Sequence, residues 1–188
     1  MTPKLDLPMP RGGEVHPDQR VGIFIDVGNL YHSAKNLHQG RVNYRELIKH
    51  LVAGRHLIRS MAYVVRSDSA VGESAFFEAL QSAGLELRVK DLQVYGDGLK
   101  KGDWDVGMAV DAIRMASFLD VVILVTGDGD FLPLVDYLKW GMGRVVEIAA
   151  FQRSASARLQ EVADRFTSIE SIPRAIMKIR TQSRITHQ

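Results

Sequence analysis

The amino-acid sequence predicts an α/β domain with a mostly parallel central sheet of about five strands. The 188 residues are enough for one domain of ordinary size, and 46% of them are hydrophobic, which is enough for a sizeable core. Between residues 20 and 170, short runs that are apolar throughout alternate with helical patterns. Such strands are typical of parallel sheets that helices cover on both faces.

The first half of the chain supplies three of the five predicted strands. These strands are residues 21–26, 57–65 and 85–89. The helices predicted between them are residues 43–53 and 70–83. Asn43 and Glu46 have the spacing of a capping box at the start of the first helix, and Gly84 follows the second helix, where a glycine commonly ends a helix.

The second half supplies the other two strands. They are predicted over residues 121–125 and 144–151, with helices over 104–118, 130–140 and 154–164. Gly141 marks the end of the helix that precedes the last strand. The segment YGDGLKK at 95–101 is predicted to be a loop.

Composition separates both ends of the chain from this body. Four of the six prolines precede residue 20, so residues 1–19 are expected to form a flexible tail. After Pro173 come four basic residues and no acid, which leaves residues 1–173 with 20 basic and 22 acidic residues, or −2. A basic tail over 174–188 beside an acidic pocket suits a nucleic-acid substrate, although an ordinary solvated end is an equal alternative.

The absence of cysteine excludes several classes of chemistry. Disulfides, thiol nucleophiles and cysteine-ligated zinc or iron–sulfur sites are all ruled out. No apolar run reaches the length of a membrane span, and no segment has the pattern of a signal peptide. We therefore expect a cytoplasmic protein without membrane partners.

Carboxylates follow two of the predicted strands. Asp26 ends the first strand, and Asp128 and Asp130 follow the fourth within VVILVTGDGDFLP at 121–133. The carboxyl ends of parallel strands meet at one edge of the sheet, where ligands bind. Three buried carboxylates without counter-charge would be costly or would become protonated, and neither motif contains a lysine or arginine. A hard divalent cation with oxygen ligands resolves this conflict.

The segment KKGDWDVGMAVDAI at 100–113 adds two more acids. Asp105 lies near a helix N-terminus, where exposed amides favour a carboxylate. Asp111 projects about 120° away around the same helix and lies near predicted buried surface. Asn29 and Thr126 are candidate supporting residues that could hold a carboxylate or a metal-bound water, or cap the backbone locally.

Each acid also has a purely structural interpretation. Asp130 precedes a proline in a first helical turn and fits an N-cap. Asp26 fits a turn at a strand end, and Asp105 fits a helix-dipole partner. The convergence of all of them at the strand ends of one sheet favours the metal site. The glycines at 127 and 129 are expected to let the backbone turn sharply enough to aim both following carboxylates.

Five motifs in order resemble the NYN domain, a branch of the PIN-like nuclease superfamily that includes the LabA/DUF88 proteins. They are FIDVGNLYHSA (24–34), KGDWDVGMAVDA (101–112), LVTGDGDFLPLV (124–135), VVEIAAF (145–151) and SASARLQEVAD (154–164). No motif is specific by itself, but their order and spacing are. The resemblance implies a PIN-like three-layer α/β/α sandwich over residues 20–173.

The resemblance also implies a function and a site. Asp26, Asp105, Asp128 and Asp130 would be the catalytic acids and the ligands of one or two Mg²⁺ or Mn²⁺ ions. Asp111 falls on a further acidic position of the family. Family members are known or suspected ribonucleases, so the expected activity is metal-dependent hydrolysis of RNA phosphodiester bonds.

RNA would need cationic contacts beside such an acidic pocket. The candidates are Lys100, Lys101, Arg66 and Arg153, each of which also fits an ordinary exposed charge. The alternative function is a non-catalytic regulatory or RNA- or protein-binding module, and a homodimer is left open. A phosphatase of the aspartyl-phosphate type is disfavoured because Gly28 occupies the position of its second aspartate.

Overall fold

The computed structural model describes residues 15–66, 72–94, 100–101 and 103–178, with only the backbone described at 93, 94, 100 and 101. Most of the expected N-terminal tail, most of the loop predicted at 95–101 and the basic residues beyond 178 lie outside the described residues. No helix in the described part of the chain is long and apolar enough to span a membrane.

Strands and helices alternate along most of the chain. The strands are β1 Arg20–Asp26, β2 Gly40–Val42, β3 His56–Arg66, β4 Glu86–Asp91, β5 Gln93–Val94, β6 Lys100–Lys101, β7 Val121–Val125, β8 Val145–Ala150, β9 Arg165–Ser168 and β10 Ile176–Lys178. The α-helices are α1 Val27–His38, α2 Tyr44–Val52, α3 Glu73–Ser82, α4 Asp105–Ala116, α5 Leu132–Asp136 and α6 Ala157–Val162. Short 3₁₀ turns cover Gly129–Phe131 and Ile169–Ser171.

Six strands form the main sheet, in the order β4-β3-β1-β7-β8-β9. All five neighbouring pairs are parallel. Strand β7 is fully buried along its length, as expected for the centre of a sheet covered on both faces. The α/β fold class with a parallel sheet is therefore confirmed, with six strands where about five were predicted.

The two faces of the sheet contribute to two separate hydrophobic cores. Ile23 and Ile123 pack on one face with α1, α2 and Leu80 of α3. Phe24 and Leu124 pack on the other face with residues of α4, α5 and α6. Because side chains alternate along a strand, neighbouring residues of β1 reach opposite cores. The result is the three-layer α/β/α arrangement expected for a PIN-like domain.

Several segments differ from the predicted elements, and Lys100–Lys101, for example, form β6 at the end of the predicted loop. The helix expected over 130–140 is a 3₁₀ turn, the short helix α5, and a π-helical turn over Tyr137–Gly141. The chain also continues in regular structure past the predicted boundary at Pro173. Ala175 is fully buried, its carbonyl accepts a hydrogen bond from the Asn43 amide at 2.7 Å, and β10 pairs antiparallel with β2.

Candidate metal centre

Strands β1 and β7 bring the predicted acids to one edge of the sheet. They are parallel neighbours in continuous register from Val21 with Val121 to Ile25 with Val125. The next residues along the two strands, Asp26 and Thr126, therefore lie side by side. The Thr126 hydroxyl donates to Asp26 Oδ2 at 3.2 Å. The first and fourth predicted strands are thus neighbours in the sheet.

Three of the predicted acids form a cluster at this edge. One carboxylate oxygen from each of Asp105, Asp128 and Asp130 lies within 4.8 Å of the other two. Asp128 and Asp130 follow β7, where Asp128 Oδ1 accepts a hydrogen bond from the Asp130 amide at 3.0 Å and caps the 3₁₀ turn. Asp105 is the first residue of α4, the helix that precedes β7 in the sequence. We call these residues the acidic cluster.

The acidic cluster concentrates negative charge. Burial raises the pKa of Asp105 to about 6, and the charges of Asp26, Asp128, Asp103 and Asp130 add to this effect. Burial also raises the pKa of Asp26, while hydrogen bonds from Asn29 and Thr126 oppose it. Within the described ranges, no ion pair involves Asp26 or a member of the cluster. The site therefore favours a cation that the described side chains do not supply.

Asp26 stands beside the acidic cluster rather than within it. Its Oδ1 accepts from the Asn29 amide at 2.9 Å and caps α1, while its Oδ2 accepts from Thr126. The Thr126 hydroxyl oxygen also accepts from the Asp128 amide at 3.2 Å. A fully buried threonine thus connects the carboxylate at the end of β1 to the backbone that carries Asp128. Asn29 reinforces this connection, since its Oδ1 accepts from the Gly127 amide at 3.1 Å.

Gly127 is required for a reason other than the one predicted. Neither Gly127 nor Gly129 has a positive φ, so neither uses the conformations that glycine alone adopts readily. A Cβ at Gly127 would lie 3.0 Å from Ala155 Cα and 3.1 Å from the Ser154 carbonyl oxygen. The loop after β8 passes directly over Gly127, whose carbonyl accepts from the Ser156 amide at 2.9 Å. Close approach, not turn geometry, explains the glycine.

Trp104 fixes the start of α4 and hence the position of Asp105. Its indole N–H donates to the Val64 carbonyl at 2.9 Å, and its ring meets the Tyr63 ring edge-on with centroids 5.7 Å apart. A Cβ at Gly107 would lie 2.5 Å from the indole ring, so the helix sits tightly on this side chain. Trp104 is therefore packed within the protein on both its indole nitrogen and its ring.

Asp111 is not a member of the acidic cluster. Asp111 is 8% exposed, and its carboxylate accepts a hydrogen bond from Tyr63 Oη at 3.1 Å. Arg88 Nε lies 3.2 Å from Asp111 Oδ2, and Arg114 Nη1 lies 3.8 Å from Oδ1. Burial and the neighbouring Asp111 charge raise the pKa of Tyr63, so this phenol remains a donor. These partners account for the buried Asp111 carboxylate without a metal ion.

The four predicted RNA contacts have different surroundings. Arg66 is exposed, lies 3.6 Å from Asp91 and is placed over the Phe77 ring. Arg153 is exposed in the turn after β8, beside the loop that covers Gly127. Lys100 and Lys101 form β6, which pairs with β5, and only their backbone is described.

Sequence reasoning missed the residues that hold the loop after β8 against the site. Ser154 Oγ and Ser33 Oγ lie 2.9 Å apart, which ties the loop to α1. Ser156 Oγ lies near Gly129, at 3.2 Å from the position of an added Cβ. Ser154 and Ser156 belong to the SASARLQEVAD motif, which supported the family resemblance but was given no role. Small polar residues carry too weak a local signal to reveal such a contact.

Comparison with known proteins gives one family and several relatives. Residues 20–170 match the NYN domain. The low amplitude and bright protein LabA of Synechococcus elongatus is 22% identical over 168 residues, which cover 85% of this chain and 88% of LabA. An uncharacterised protein of Methanocaldococcus jannaschii is 28% identical over 152 residues. That alignment covers 78% of this chain but only 54% of the archaeal protein, so this chain spans about half of its length.

A solved structure has the same fold. The crystal structure of a protein of unknown function from Vibrio parahaemolyticus superposes with a TM-score of 0.77 at 30% sequence identity. The match covers 85% of this chain and 98% of the Vibrio chain. The fold that carries the acidic cluster is therefore also found in a protein solved by crystallography.

Proposed function

The chain belongs to the NYN domain family, and on that basis we propose that it is a metal-dependent ribonuclease that hydrolyses RNA phosphodiester bonds at the acidic cluster. The observation that carries the proposal is the approach of Asp105, Asp128 and Asp130 carboxylate oxygens to within 4.8 Å of one another. The family supplies the nuclease class, and the cluster supplies a site where that chemistry can take place.

The residues of the acidic cluster fit Mg²⁺ or Mn²⁺. Both ions favour oxygen ligands, and three carboxylates provide them. Burial and the repulsion of neighbouring carboxylates raise the pKa of Asp105, and a divalent cation would offset both. A bound divalent ion supplies Lewis-acid polarisation of the phosphodiester and activation of water at neutral pH.

The chain's own groups divide the remaining work. Asp105 and Asp128 are partly buried and would hold the ion, while the exposed Asp130 would complete the ligand set or orient the attacking water. Asp26 would add charge beside the ligands and, through Thr126, keep the Asp128 backbone in place. Water adds to phosphorus, the bond to the 3′ oxygen breaks, and the products are a 3′ hydroxyl and a 5′ phosphate.

Several finer features belong to the same proposal. RNA is the proposed substrate, with Arg66, Arg153, Lys100 and Lys101 as candidate contacts to its phosphates. A cytoplasmic location stays a prediction, and the oligomeric state is left open. A regulatory module without catalysis is the competing function, and the experiment below separates the two.

The test compares cleavage of a labelled, mixed-sequence RNA pool by the wild type and by Asp128→Asn, with Mg²⁺, Mn²⁺ or EDTA. We expect cleavage only with a divalent ion, and a loss of about 100-fold or more in the variant, because a ligand charge is removed from the reacting centre. Asp136→Asn is the matched control, since it removes an exposed carboxylate from α5 outside the acidic cluster.

Cleavage that persists unchanged in EDTA or in Asp128→Asn would contradict the proposal. Absence of cleavage by the wild type, together with Mn²⁺ binding that Asp128→Asn removes, would favour the regulatory module. Analysis of the product ends tests which bond breaks, since the proposed reaction leaves a 3′ hydroxyl and a 5′ phosphate.

A further inference from the structure

Asp111 is a nearly buried carboxylate that the proposed metal centre does not use. It accepts a hydrogen bond from Tyr63, and two arginines approach it from different elements. Arg88 comes from β4, and Arg114 comes from the next turn of α4. Both arginine side chains remain well exposed, at 48% and 75%, so their pairing with Asp111 does not remove them from solvent.

Strand β4 is the edge of the main sheet, and it presents a second cation on the same face as Arg88. Lys90 follows two residues later, and residues two apart in a strand point to the same side, about 6.6 Å apart. Its Nζ donates to the Asp103 carbonyl at 3.2 Å and lies 5.9 Å from the centre of the Trp104 ring.

These contacts lead directly to the acidic cluster. Lys90 bonds to the residue two positions before Asp105, and Trp104 lies between them in sequence. Arg88 precedes Lys90 by two residues in β4 and reaches Asp111 in the middle of α4, and Arg114 follows Asp111 by three residues on that helix. The three cations therefore form a continuous row that starts at the N-terminus of α4 and leads away from the cluster.

The charge of this row is not balanced by its partner. Arg88 and Arg114 both pair with the single carboxylate of Asp111, whereas Lys90 bonds to a backbone carbonyl, so these four side chains together carry +2. By contrast, the exposed pairs of Arg20 with Asp120 and of Arg59 with Glu86 each join one cation to one carboxylate. A buried acid needs one partner of opposite charge, and Arg88 supplies it at 3.2 Å. The more distant and 75% exposed Arg114 and the ammonium group of Lys90 are cations beyond that need.

We propose that Arg88, Lys90 and Arg114 form a phosphate-binding ridge that guides an RNA strand to the acidic cluster, with Asp111 as the buried anchor that holds both arginines in place. This inference deepens the ribonuclease proposal and rests on it for the identity of the substrate. It replaces the expected metal-ligand role of Asp111 with a role in substrate binding.

The ridge reads the backbone of the strand rather than its bases. Trp104, the aromatic residue beside it, is engaged on several sides by Val64, Tyr63 and Lys90, so it does not offer a free face for base stacking. Arginine and lysine contacts to phosphate carry no sequence information. Binding through the ridge is therefore sequence-independent and falls steeply with salt.

The test measures RNA binding without cleavage. Fluorescence anisotropy of a labelled single-stranded RNA is recorded in EDTA over a range of KCl concentrations. The parent for this measurement is the whole chain with Asp128→Asn, and each further substitution is added to it. Arg88→Gln should weaken binding about threefold to tenfold. It should also make the negative slope of log affinity against log salt shallower by about 0.7, the value for one lost phosphate contact on a single strand.

Arg20→Gln is the matched control for this measurement. Arg20 is paired with a carboxylate and has a 47% exposed side chain, close to the 48% of Arg88, but it begins β1 at the opposite end of the sheet. We expect its affinity and salt slope to match those of the parent. Equal losses in Arg88→Gln and Arg20→Gln, or an unchanged affinity in Arg88→Gln, would overturn the ridge.

A second measurement tests the role of Asp111 separately. Asp111→Asn should retain Mn²⁺ affinity within about twofold in calorimetry without RNA, whereas Asp128→Asn should lose it. A loss of Mn²⁺ affinity in a folded Asp111→Asn protein equal to that in Asp128→Asn would overturn the anchor role. The ridge and the nuclease fail independently, because a salt-dependent effect of Arg88→Gln without any metal-dependent cleavage supports the first and contradicts the second.

Discussion

Glu147 and the acidic cluster have opposite electrostatic surroundings. Glu147 in the middle of β8 is 3% exposed, and Arg55 holds it with two hydrogen bonds, at 2.8 Å and 3.0 Å. The same guanidinium donates to the carbonyls of Leu51 and Val52 at the end of α2. The acidic cluster has three carboxylates and, among the described residues, no cationic partner.

The difference is the one expected between a charge that maintains the fold and an acidic site that binds a cation. A buried charge that maintains the fold needs a partner of opposite sign and filled hydrogen bonds, and Glu147 has both. An acidic site that binds a cation must leave its charge available, which makes the protein less stable than it would otherwise be. Residue type does not distinguish the two groups, since both consist of ordinary acids, but their partners do.

Glu147→Gln should have the largest effect on stability. It would leave Arg55 buried without its counter-ion and facing Arg165, whose Nη1 lies 3.9 Å from Glu147 Oε1. Removing one partner of a buried pair costs about 3–5 kcal/mol, so the midpoint of thermal unfolding should fall by on the order of 10 °C. Calorimetry or circular dichroism during heating provides the measurement.

The control for this prediction is Glu86→Gln. Glu86 also pairs with an arginine, Arg59, but both side chains are about half exposed. A surface pair contributes about 0–1 kcal/mol, so this variant should unfold close to the wild type. Equal shifts for the two glutamates would mean that burial does not distinguish structural charges here.

Gly127→Ala should have the next largest effect, because it acts where the loop after β8 meets the metal centre. The new methyl group would contact backbone atoms of Ala155 and Ser154 at 3.0–3.3 Å, and backbone cannot move aside as a side chain can. Such overpacking costs about 1–3 kcal/mol, and the displaced loop should also lower RNA cleavage.

Gly129→Ala is the matched comparison two residues away. Its methyl group would meet only Ser156 Oγ and Cβ, at 3.2 Å and 3.4 Å, and the hydroxyl can rotate away. We expect less than half the destabilisation of Gly127→Ala. A larger effect at Gly129 would show that the close approach of the loop is not the reason for the glycine at 127.

The sequence predicted the strands that carry the site with good accuracy. Strand β7 has the predicted bounds, and β1 begins one residue early, because continuous apolar runs have a single interpretation in a sheet covered on both faces. Strand β9, RFTS, was missed because all four of its residues are half-buried and it contains no apolar run. It joins the sheet only because β8 offers an unpaired edge.

Side-chain partners were harder to predict than elements. The helical spacing of Asp105 and Asp111 correctly placed them in different directions, but spacing does not reveal that Arg88 and Tyr63 lie opposite Asp111. That meeting depends on the register of β3 with β4, in which Tyr63 is the partner of Arg88. Register between distant segments is a tertiary property that periodicity along one segment does not encode.

Thr126→Val should have a smaller effect than Gly127→Ala. The substitution keeps the shape of the side chain and removes the hydroxyl that donates to Asp26 and accepts from the Asp128 amide. Loss of these buried hydrogen bonds should cost about 1–2 kcal/mol and weaken Mn²⁺ binding about tenfold, because Asp128 loses its support.

Thr167→Val in β9 is the control for Thr126→Val. It makes the same chemical change at a half-buried position beside α2, and it should leave Mn²⁺ affinity unchanged. Titration calorimetry with Mn²⁺ measures both variants. An unaltered Mn²⁺ affinity in Thr126→Val would contradict the supporting role of this hydroxyl.

Asp105→Asn should have the smallest effect on stability, and its sign is the reverse of that for Glu147→Gln. The pKa of Asp105 in the folded protein, about 6, lies above its ordinary value of 3.8, so the folded state binds the proton more tightly. Stability without metal therefore falls as the pH rises from about 4 through 6. At pH 7.5 in EDTA the variant should melt a little above the wild type, by about 2–4 °C at most, since the carboxylate is partly exposed and screened. The difference should vanish near pH 4, where the wild-type carboxyl is protonated too.

Adding Mn²⁺ should reverse the order, because an ion that binds only the folded wild type raises its melting temperature. A variant that melts below the wild type in EDTA at pH 7.5 would mean that Asp105 stabilises the fold, as Glu147 does, and that the two groups of carboxylates do not differ in the way their partners indicate.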